Sequence, residues 1–133
     1  MNAVHRAILR VSCGRVGRRV AGMTVLELVT TGRKSGQARA VMLTSPLTDG
    51  EAYVVVASRG GDDRHPAWFL NLRDDPRVQV SVQTGPRQPM VASIATPDER
   101  ARLWPQVVRQ YRNYAAYQRR TEREIPLVLL RPA

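Results

Sequence analysis

Residues 30–39 read Thr30-Thr31-Gly32-Arg33-Lys34-Ser35-Gly36-Gln37-Ala38-Arg39, between two largely apolar runs at 25–29 and 40–43. The two glycines predict a turn that joins two strands. Glycine lets main-chain N–H groups approach an anion closely, and arginine can bind two oxygens at once. This stretch, called the basic turn below, predicts a phosphate or carboxylate site. An ordinary solvated hairpin turn explains the same residues equally well.

The spacing of the basic turn excludes one familiar phosphate site. In the Walker phosphate loop, four residues separate a glycine from a Gly-Lys-Ser/Thr group that opens a helix. Here Gly32 and Gly36 are four positions apart, and the residues that follow are typical of a strand.

Composition predicts one soluble domain with a strongly basic surface. The chain has 133 residues, of which 43% are hydrophobic, which is enough for a core of its own. Basic residues outnumber acidic ones by 21 to 11, so the net charge is +10. That charge suits nucleic acid, an anionic membrane surface or a polyanionic small molecule, and it does not choose among them.

The few cysteines and histidines limit which disulfide and metal chemistry the chain can support. Cys13 is the single cysteine, so an internal disulfide is excluded, and no Cys/His series has the spacing of metal ligands. We expect His5 and His65 to be surface residues. The chain has no stretch of ~18 apolar residues that would span a membrane and no secretory signal, so the predicted location is the cytoplasm.

Residues 1–22 form a basic segment that precedes the predicted barrel domain at 23–133. The apolar residues of the segment have a helical spacing, whereas Gly14 and Gly17 weaken a long helix. A helix that lies peripherally on a membrane or covers a ligand site is one interpretation. A frayed leader that docks on the barrel is the other.

Periodicity predicts six strands and several helices in the rest of the chain. The strands are expected at 25–29, 39–43, 53–57, 78–82, 89–95 and 125–130. The first three should form a meander. Helices are expected at 67–73, from Pro97 to a kink or restart at Pro105, and beyond 106, where Tyr111, Tyr114 and Tyr117 would form one stripe. Together these elements predict a small antiparallel barrel.

The polar, Gly-rich stretch 58–66 is a predicted binding loop, and with other segments it carries a resemblance to a known family. The other segments are the basic turn, His65-Pro66-Ala67-Trp68-Phe69-Leu70-Asn71-Leu72, Pro76-Arg77-Val78-Gln79-Val80, Asp98-Glu99-Arg100-Ala101, Trp104-Pro105, the three tyrosines and Ile125-Pro126. In their order and spacing they resemble the deazaflavin-dependent nitroreductase family of actinobacteria, from about Leu26 onward.

The resemblance implies a fold and a cofactor. The fold is a mainly β, α+β structure, a six- to seven-stranded antiparallel split β-barrel with short helices. The cofactor is coenzyme F-420, a deazaflavin whose side chain carries a phosphate and several glutamates, and no metal is implied. The residues implied to bind the coenzyme are Arg33, Lys34, Ser35, Arg39, Ser58, Arg59, Gly60, Ala67, Trp68 and Asn71.

Catalytic roles are implied for Ser58, Tyr111, Tyr114 and Tyr117. Ser58 would polarise the ring or the acceptor, and the tyrosines would stack on a flat acceptor and offer a phenol as donor. Packing into the core is the alternative explanation for Trp68 and for the tyrosine stripe.

The implied activity is hydride transfer from the reduced deazaflavin to an electron-poor planar acceptor, such as a quinone or a nitro-aromatic compound. A separate dehydrogenase would reduce the coenzyme. One alternative is a carrier that binds the deazaflavin, a flavin or a lipid without turnover. Another is a basic nucleic-acid-binding barrel, which aromatics at 5% of residues disfavour. The oligomeric state is left open.

Overall fold

The computed structural model describes residues 19–20 and 22–133 of the chain. The helix predicted within 1–22 therefore lies almost entirely outside the described residues. The strands are β1 (Arg19–Val20), β2 (Met23–Thr31), β3 (Ala38–Ser45), β4 (Leu47–Asp49), β5 (Ala52–Val56), β6 (Arg77–Val82), β7 (Arg87–Ile94) and β8 (Leu127–Pro132). The helices are α1 (Ala67–Asp74), α2 (Pro97–Gln110) and α3 (Asn113–Arg119), and Arg59–Gly61 form a single 3-10 turn.

All eight strands belong to one antiparallel sheet, which confirms the split-barrel prediction. The order is β1-β2-β6-β7-β8-β5-β4, and β3 pairs with the other edge of β2. The count exceeds the predicted six or seven because β1 and β4 contain only two and three residues. Such short strands show no periodicity in the sequence. β1 lies within the basic segment 1–22 and pairs with β2.

The meander predicted for the first three long strands is wrong. β5 pairs with β4 and β8, whereas β3 pairs with β2 at the opposite end of the strand order. The chain runs from β3 directly into β4 through Pro46, so the sheet must curl until its two ends meet there. The Ser45 hydroxyl lies 2.7 Å from the Val54 carbonyl oxygen and joins the two ends by a hydrogen bond.

The neighbouring strands β5 and β8 are buried on both faces. Val128 belongs to a core that includes Phe69 of α1, while Leu129 belongs to a second core with Leu103 of α2. This explains why both strands are almost continuously apolar in the sequence. β7, in contrast, buries Met90 and exposes Val91, so only one of its faces is covered.

α2 begins at a capping box and continues farther than predicted. The Thr96 hydroxyl accepts a hydrogen bond from the Glu99 amide, and the Glu99 carboxylate accepts one from the Thr96 amide. The helix passes through Pro105 and ends at Gln110, with Tyr111 as its C-cap, so of the predicted kink or restart at Pro105 the restart does not occur. Leu103 and Val107 are buried on either side of Pro105, and their packing holds the helix together there. The tyrosine stripe consequently crosses a break between α2 and α3.

We expect Leu129→Ala to lower the free energy of unfolding by about 2–5 kcal/mol, because it leaves a cavity in a doubly buried strand. Leu129 is 0% exposed. Val91→Ala is the matched control at a position 42% exposed, and it should change the free energy by about 0.5 kcal/mol or less. Urea unfolding followed by circular dichroism measures both. Equal losses in the two variants would contradict the two-sided burial of β8.

Candidate functional site

A large open cleft brings the predicted site residues together. It has a volume of about 1690 Å³ and lies between the basic turn, the loop that follows β5, and α1 and α3. Ligand pockets are more commonly about 300–1,000 Å³, so the cleft suits an elongated ligand. Every residue assigned to the site from the sequence lines the cleft except Tyr111.

The two glycines give the basic turn its shape. Gly36 has a φ of +73°, which side-chain-bearing residues rarely adopt. A Cβ on Gly32 would lie 2.8 Å from the Ser35 hydroxyl oxygen and 3.2 Å from the Gln37 carbonyl oxygen, so a side chain there would crowd the turn. The Ser35 hydroxyl accepts hydrogen bonds from the Gln37 amide at 3.2 Å and from Arg39 at 3.4 Å. The turn is therefore organised from within, and its cations remain exposed.

Asn71 of α1 attaches the basic turn to the helix. Its Oδ1 accepts hydrogen bonds from the Arg33 amide at 3.1 Å and from the Arg33 guanidinium at 3.0 Å. Its Nδ2 donates to the Thr30 hydroxyl at 3.2 Å. Both Asn71 and Thr30 are buried. The carboxamide thus holds Arg33 in place at the cleft, in addition to lining it.

The loop after β5 has an unusual backbone. Arg59, Gly60 and Gly61 all have positive φ, at 47°, 64° and 86°. A Cβ on Gly61 would lie 2.7 Å from the Tyr117 carbonyl oxygen, so glycine is what allows the loop to approach α3. Arginine at a positive φ is uncommon and costs free energy. The surrounding contacts must therefore hold the loop in this conformation.

Ser58 stands at the base of this loop and lines the cleft. The residue is only 9% exposed. Among the described residues, its hydroxyl has no hydrogen-bond partner, and it does not cap the 3-10 turn that follows. A buried hydroxyl without a partner costs free energy unless a ligand or water satisfies it. Ser58 is therefore available to hydrogen-bond a ligand in the cleft.

The basic turn lies at one end of the β2–β3 pair and Met23 at the other, so the cleft that both line has a cationic end and an apolar end. The cations that line it are Arg33, Lys34, Arg39, Arg59 and Arg64, against a single lining carboxylate, that of Asp63. The apolar lining comes mainly from β2, β3 and β5 and includes Met23, Val25, Met42, Leu43 and Val55. This arrangement favours an amphiphilic ligand with an anionic tail and a flat apolar part.

Two tyrosines of α3 lie at the apolar end. Tyr114 is buried, and its hydroxyl lies 3.5 Å from the Met23 sulfur. Burial raises the pKa of Tyr114, and a hydrogen bond with Thr44 offsets part of this effect, so the phenol stays protonated. Tyr117 packs edge-on against Tyr114, with the ring centroids 5.9 Å apart. Both side chains can stack on a planar molecule, and a protonated phenol can donate a hydrogen bond to it.

Tyr111 occupies a different position. It is the C-cap of α2 and packs edge-on against Tyr114, with the ring centroids 6.5 Å apart. Its hydroxyl lies 3.2 Å from the point that a Cβ on Gly22 would occupy. Tyr111 thus lies behind Tyr114 as seen from the cleft.

Trp68 and Ala67 lie at the start of α1. Trp68 is half-buried, and it both packs against the first core and lines the cleft. Its coenzyme contact remains a prediction. Ala67 is exposed and narrows the cleft little.

His65 is the main lining residue that the sequence reasoning missed, and the surface position expected for it is wrong. It is half-buried, lines the cleft and packs against Phe69 with the ring centroids 4.6 Å apart. The signal available was its place directly before Pro66 in one of the family segments. Arg64, Asp63 and Asn113 also line the cleft and were not singled out.

The described residues contain neither a cluster of metal ligands nor a helix that could span a membrane. No group of three or more His, Cys, Asp or Glu side chains within them is arranged to hold a metal ion. No helix in this part of the chain is long and apolar enough to cross a bilayer.

Comparison with known proteins gives consistent matches. A family model described as F420H(2)-dependent quinone reductase matches residues 2–132. A Mycobacterium tuberculosis protein of that name, Rv1261c, is 43% identical over 132 residues, which cover 96% of this chain and 87% of the relative.

Solved structures agree with the fold. One described as an F420-H2 dependent reductase, FDR-A, superimposes with a TM-score of 0.69 at 36% identity, over 80% of this chain and 92% of the other. A heme-binding protein from Mycobacterium smegmatis has a TM-score of 0.55 at 21% identity, over 80% of this chain and 44% of the other, which shows a shared fold alone.

The implied resemblance to deazaflavin-dependent reductases is thereby confirmed. The family model matches nearly the whole chain, and the relative that shares its name matches over almost the same length. This chain belongs to the F420H(2)-dependent quinone reductase family.

Proposed function

We propose that the cleft binds reduced coenzyme F-420 with its acidic tail on the basic turn and its ring beside Ser58, and that a quinone meets the ring beside Tyr114 and Tyr117. The observation that carries this arrangement is the separation of the basic turn, with Arg33, Lys34 and Arg39, from Met23 and Tyr114 at the opposite end of the β2–β3 pair. A phosphate and several carboxylates match the cationic end. Within the described residues the Ser58 hydroxyl has no hydrogen-bond partner, so a polar edge of the ring could bond with it in the cleft.

The protein is an oxidoreductase, and its family uses reduced coenzyme F-420 to reduce a quinone. The coenzyme supplies the hydride, while the protein provides binding, orientation and exclusion of water. Reduction of a quinone to a quinol takes up one hydride and one proton. The protonated phenol of Tyr114, the neighbouring Tyr117 and the hydroxyl of Ser58 are among the groups at the cleft that can hold or donate a proton.

The site residues divide into binding and positioning roles. We assign Arg33, Lys34, Ser35 and Arg39 to the tail, and Arg59, Gly60, Ala67 and Trp68 to the walls around the coenzyme. Asn71 acts through Arg33, because both ends of its carboxamide are engaged by protein groups. Tyr111 acts through Tyr114, against whose ring it packs.

The proposal also covers a second class of acceptor, the enzyme that reduces the coenzyme again, and the location of the protein in the cell. A nitro-aromatic compound is as flat and electron-poor as a quinone, so the apolar end accommodates it too. The coenzyme leaves oxidised, and a separate dehydrogenase must reduce it again. We place the protein in the cytoplasm with peripheral contact to anionic lipid, supported by the exposed cations Arg112, Arg119 and Arg120 beside the α3 wall.

Removal of the Arg33 side chain should weaken coenzyme binding about tenfold and make binding less sensitive to salt. The reason is that one charge-assisted contact to the acidic tail is lost. Titration of the reduced coenzyme into wild type and Arg33→Ala at low and high ionic strength, followed by fluorescence, measures both effects.

Arg109→Ala is the control for the loss of one positive charge. Arg109 is exposed at the end of α2 and does not line the cleft. Its replacement should leave affinity and salt response nearly unchanged. If Arg33→Ala binds the coenzyme as tightly as Arg109→Ala under both conditions, the basic turn does not hold the tail.

Tyr117→Phe should reduce quinone turnover several-fold with little change in coenzyme affinity, because it removes a polar hydrogen from the acceptor end and keeps the ring. Steady-state rates at saturating coenzyme, together with a separate coenzyme titration, resolve the two quantities. Tyr53→Phe is the control, since Tyr53 packs against the first core away from the cleft. Turnover that is equal in both variants would limit Tyr117 to packing.

A further inference from the structure

We propose that Arg123 is a positioning residue for hydride transfer, because its guanidinium fixes both the 57–62 loop and the ring of His65 at the cleft. The expected effect on coenzyme binding rests on the proposed function, whereas the expected effect on the loop and on His65 does not. Arg123 lies in the connection between α3 and β8 and does not line the cleft itself. In the sequence it belongs to a run of charged residues at 119–124 and has the pattern of a solvated segment.

The guanidinium of Arg123 has five N–H groups and makes five hydrogen-bond contacts. Its Nε donates to the Asp62 carbonyl oxygen at 2.8 Å. Its Nη1 contacts the Ala57 carbonyl oxygen at 3.3 Å and the His65 Nδ1 at 3.1 Å. Its Nη2 donates to the carbonyl oxygens of Ala57 at 3.3 Å and Ser58 at 2.9 Å. One side chain thus binds the start, the end and the flank of the loop.

These contacts explain how the loop keeps its costly backbone. Arg59 stays at a positive φ while the carbonyls on either side, those of Ser58 and Asp62, are held by Arg123. Arg120 donates to the Gly60 carbonyl oxygen at 3.2 Å from the same connection. The main-chain acceptors of the loop are therefore engaged on the side of α3, and the Ser58 and Arg59 side chains are presented to the cleft.

The contact with Arg123 also defines the state of His65. A guanidinium only donates, so Nδ1 of His65 must accept and the ring proton must be on Nε2. Partial burial lowers the pKa of His65, and the positive charges of Arg123 and of Arg73 on α1 lower it further. Asp62 and Asp63 are the acids on its own loop, and Phe69 packs against the ring. His65 therefore lines the cleft as a neutral ring with one defined donor.

A lysine could not replace these contacts. Its ammonium has three donors at a single point, whereas the planar fork of arginine reaches acceptors on several sides at once. Charge and geometry can consequently be separated by two variants. Arg123→Lys keeps the charge and loses the fork, and Arg123→Met keeps the length and loses both.

The experiment combines binding with nuclear magnetic resonance of His65. The chain has one other histidine, His5, so a His5→Gln background assigns the imidazole signals. In wild type we expect a single tautomer with the proton on Nε2. In Arg123→Met we expect a mixture of tautomers and a higher pKa of His65, since a positive charge has been removed. The dissociation constant of reduced coenzyme should rise about tenfold in both Arg123→Met and Arg123→Lys.

Arg102→Met is the matched control. Arg102 forms a bidentate ion pair with Asp49 at 2.9 and 3.0 Å, and neither residue lines the cleft. This variant should leave the His65 signals, the coenzyme affinity and the turnover number as in wild type. Partial recovery of affinity on adding millimolar guanidinium to Arg123→Met, but not to Arg102→Met, would further support the positioning role.

Two outcomes would overturn the proposal. One is a His65 tautomer and titration in Arg123→Met that equal those of wild type. The other is an unchanged coenzyme affinity in Arg123→Lys, which also decides the matter if Arg123→Met fails to fold. If wild type itself does not bind the coenzyme, the proposed function fails, while the His65 measurements still test whether Arg123 fixes the loop.

Discussion

The carboxamide of Asn71 couples the cationic end of the cleft to the rest of the molecule. It receives two hydrogen bonds from Arg33 and gives one to Thr30, so it ties the basic turn, β2 and α1 together at one buried point. A buried amide is stable only when its donors and acceptor are satisfied. Displacement of the turn would leave Asn71 partly unpaired in the interior. The position of the cations is thus enforced by the cost of an unsatisfied polar group.

The wall formed by the 57–62 loop is also held by hydrogen bonds to main-chain groups, but here arginine side chains donate to carbonyls. There, cationic side chains from the segment after α3 bind main-chain carbonyls of the 57–62 loop, as Arg120 and Arg123 do. Each wall is therefore held by side chains that bind backbone, and the curled sheet sets the distance between the walls. A site that is ordered before its ligand arrives loses less conformational entropy on binding. Such order also favours transfer of a hydride, which requires donor and acceptor to be held in close, fixed contact.

Local features of the fold could be predicted from the sequence, whereas long-range pairings could not. The strand predicted at 78–82 and the helix predicted to begin at Pro97 depend on neighbours within a few residues. The pairing of β5 with β8 depends on residues more than 70 positions apart, for which a single sequence carries no signal. The same limit applies at the site. The residues that the family segments assigned to the site line the cleft except Tyr111, but His65 was missed, and Arg123 acts across more than 60 positions from a segment with the composition of a solvated charge run.

The separation of charge along the cleft also constrains the electron acceptor. In the proposed arrangement the phosphate and carboxylates of the coenzyme tail match the cations of the basic turn, so little positive charge would remain there to attract an anionic acceptor. The other end offers Met23, Met42 and the rings of Tyr114 and Tyr117, which favour a flat, uncharged molecule. Tyr114 remains a neutral donor there because burial raises its pKa. A neutral quinone satisfies all three conditions, since it is planar, carries no charge and has a carbonyl oxygen that can accept a hydrogen bond from a phenol as the hydride arrives.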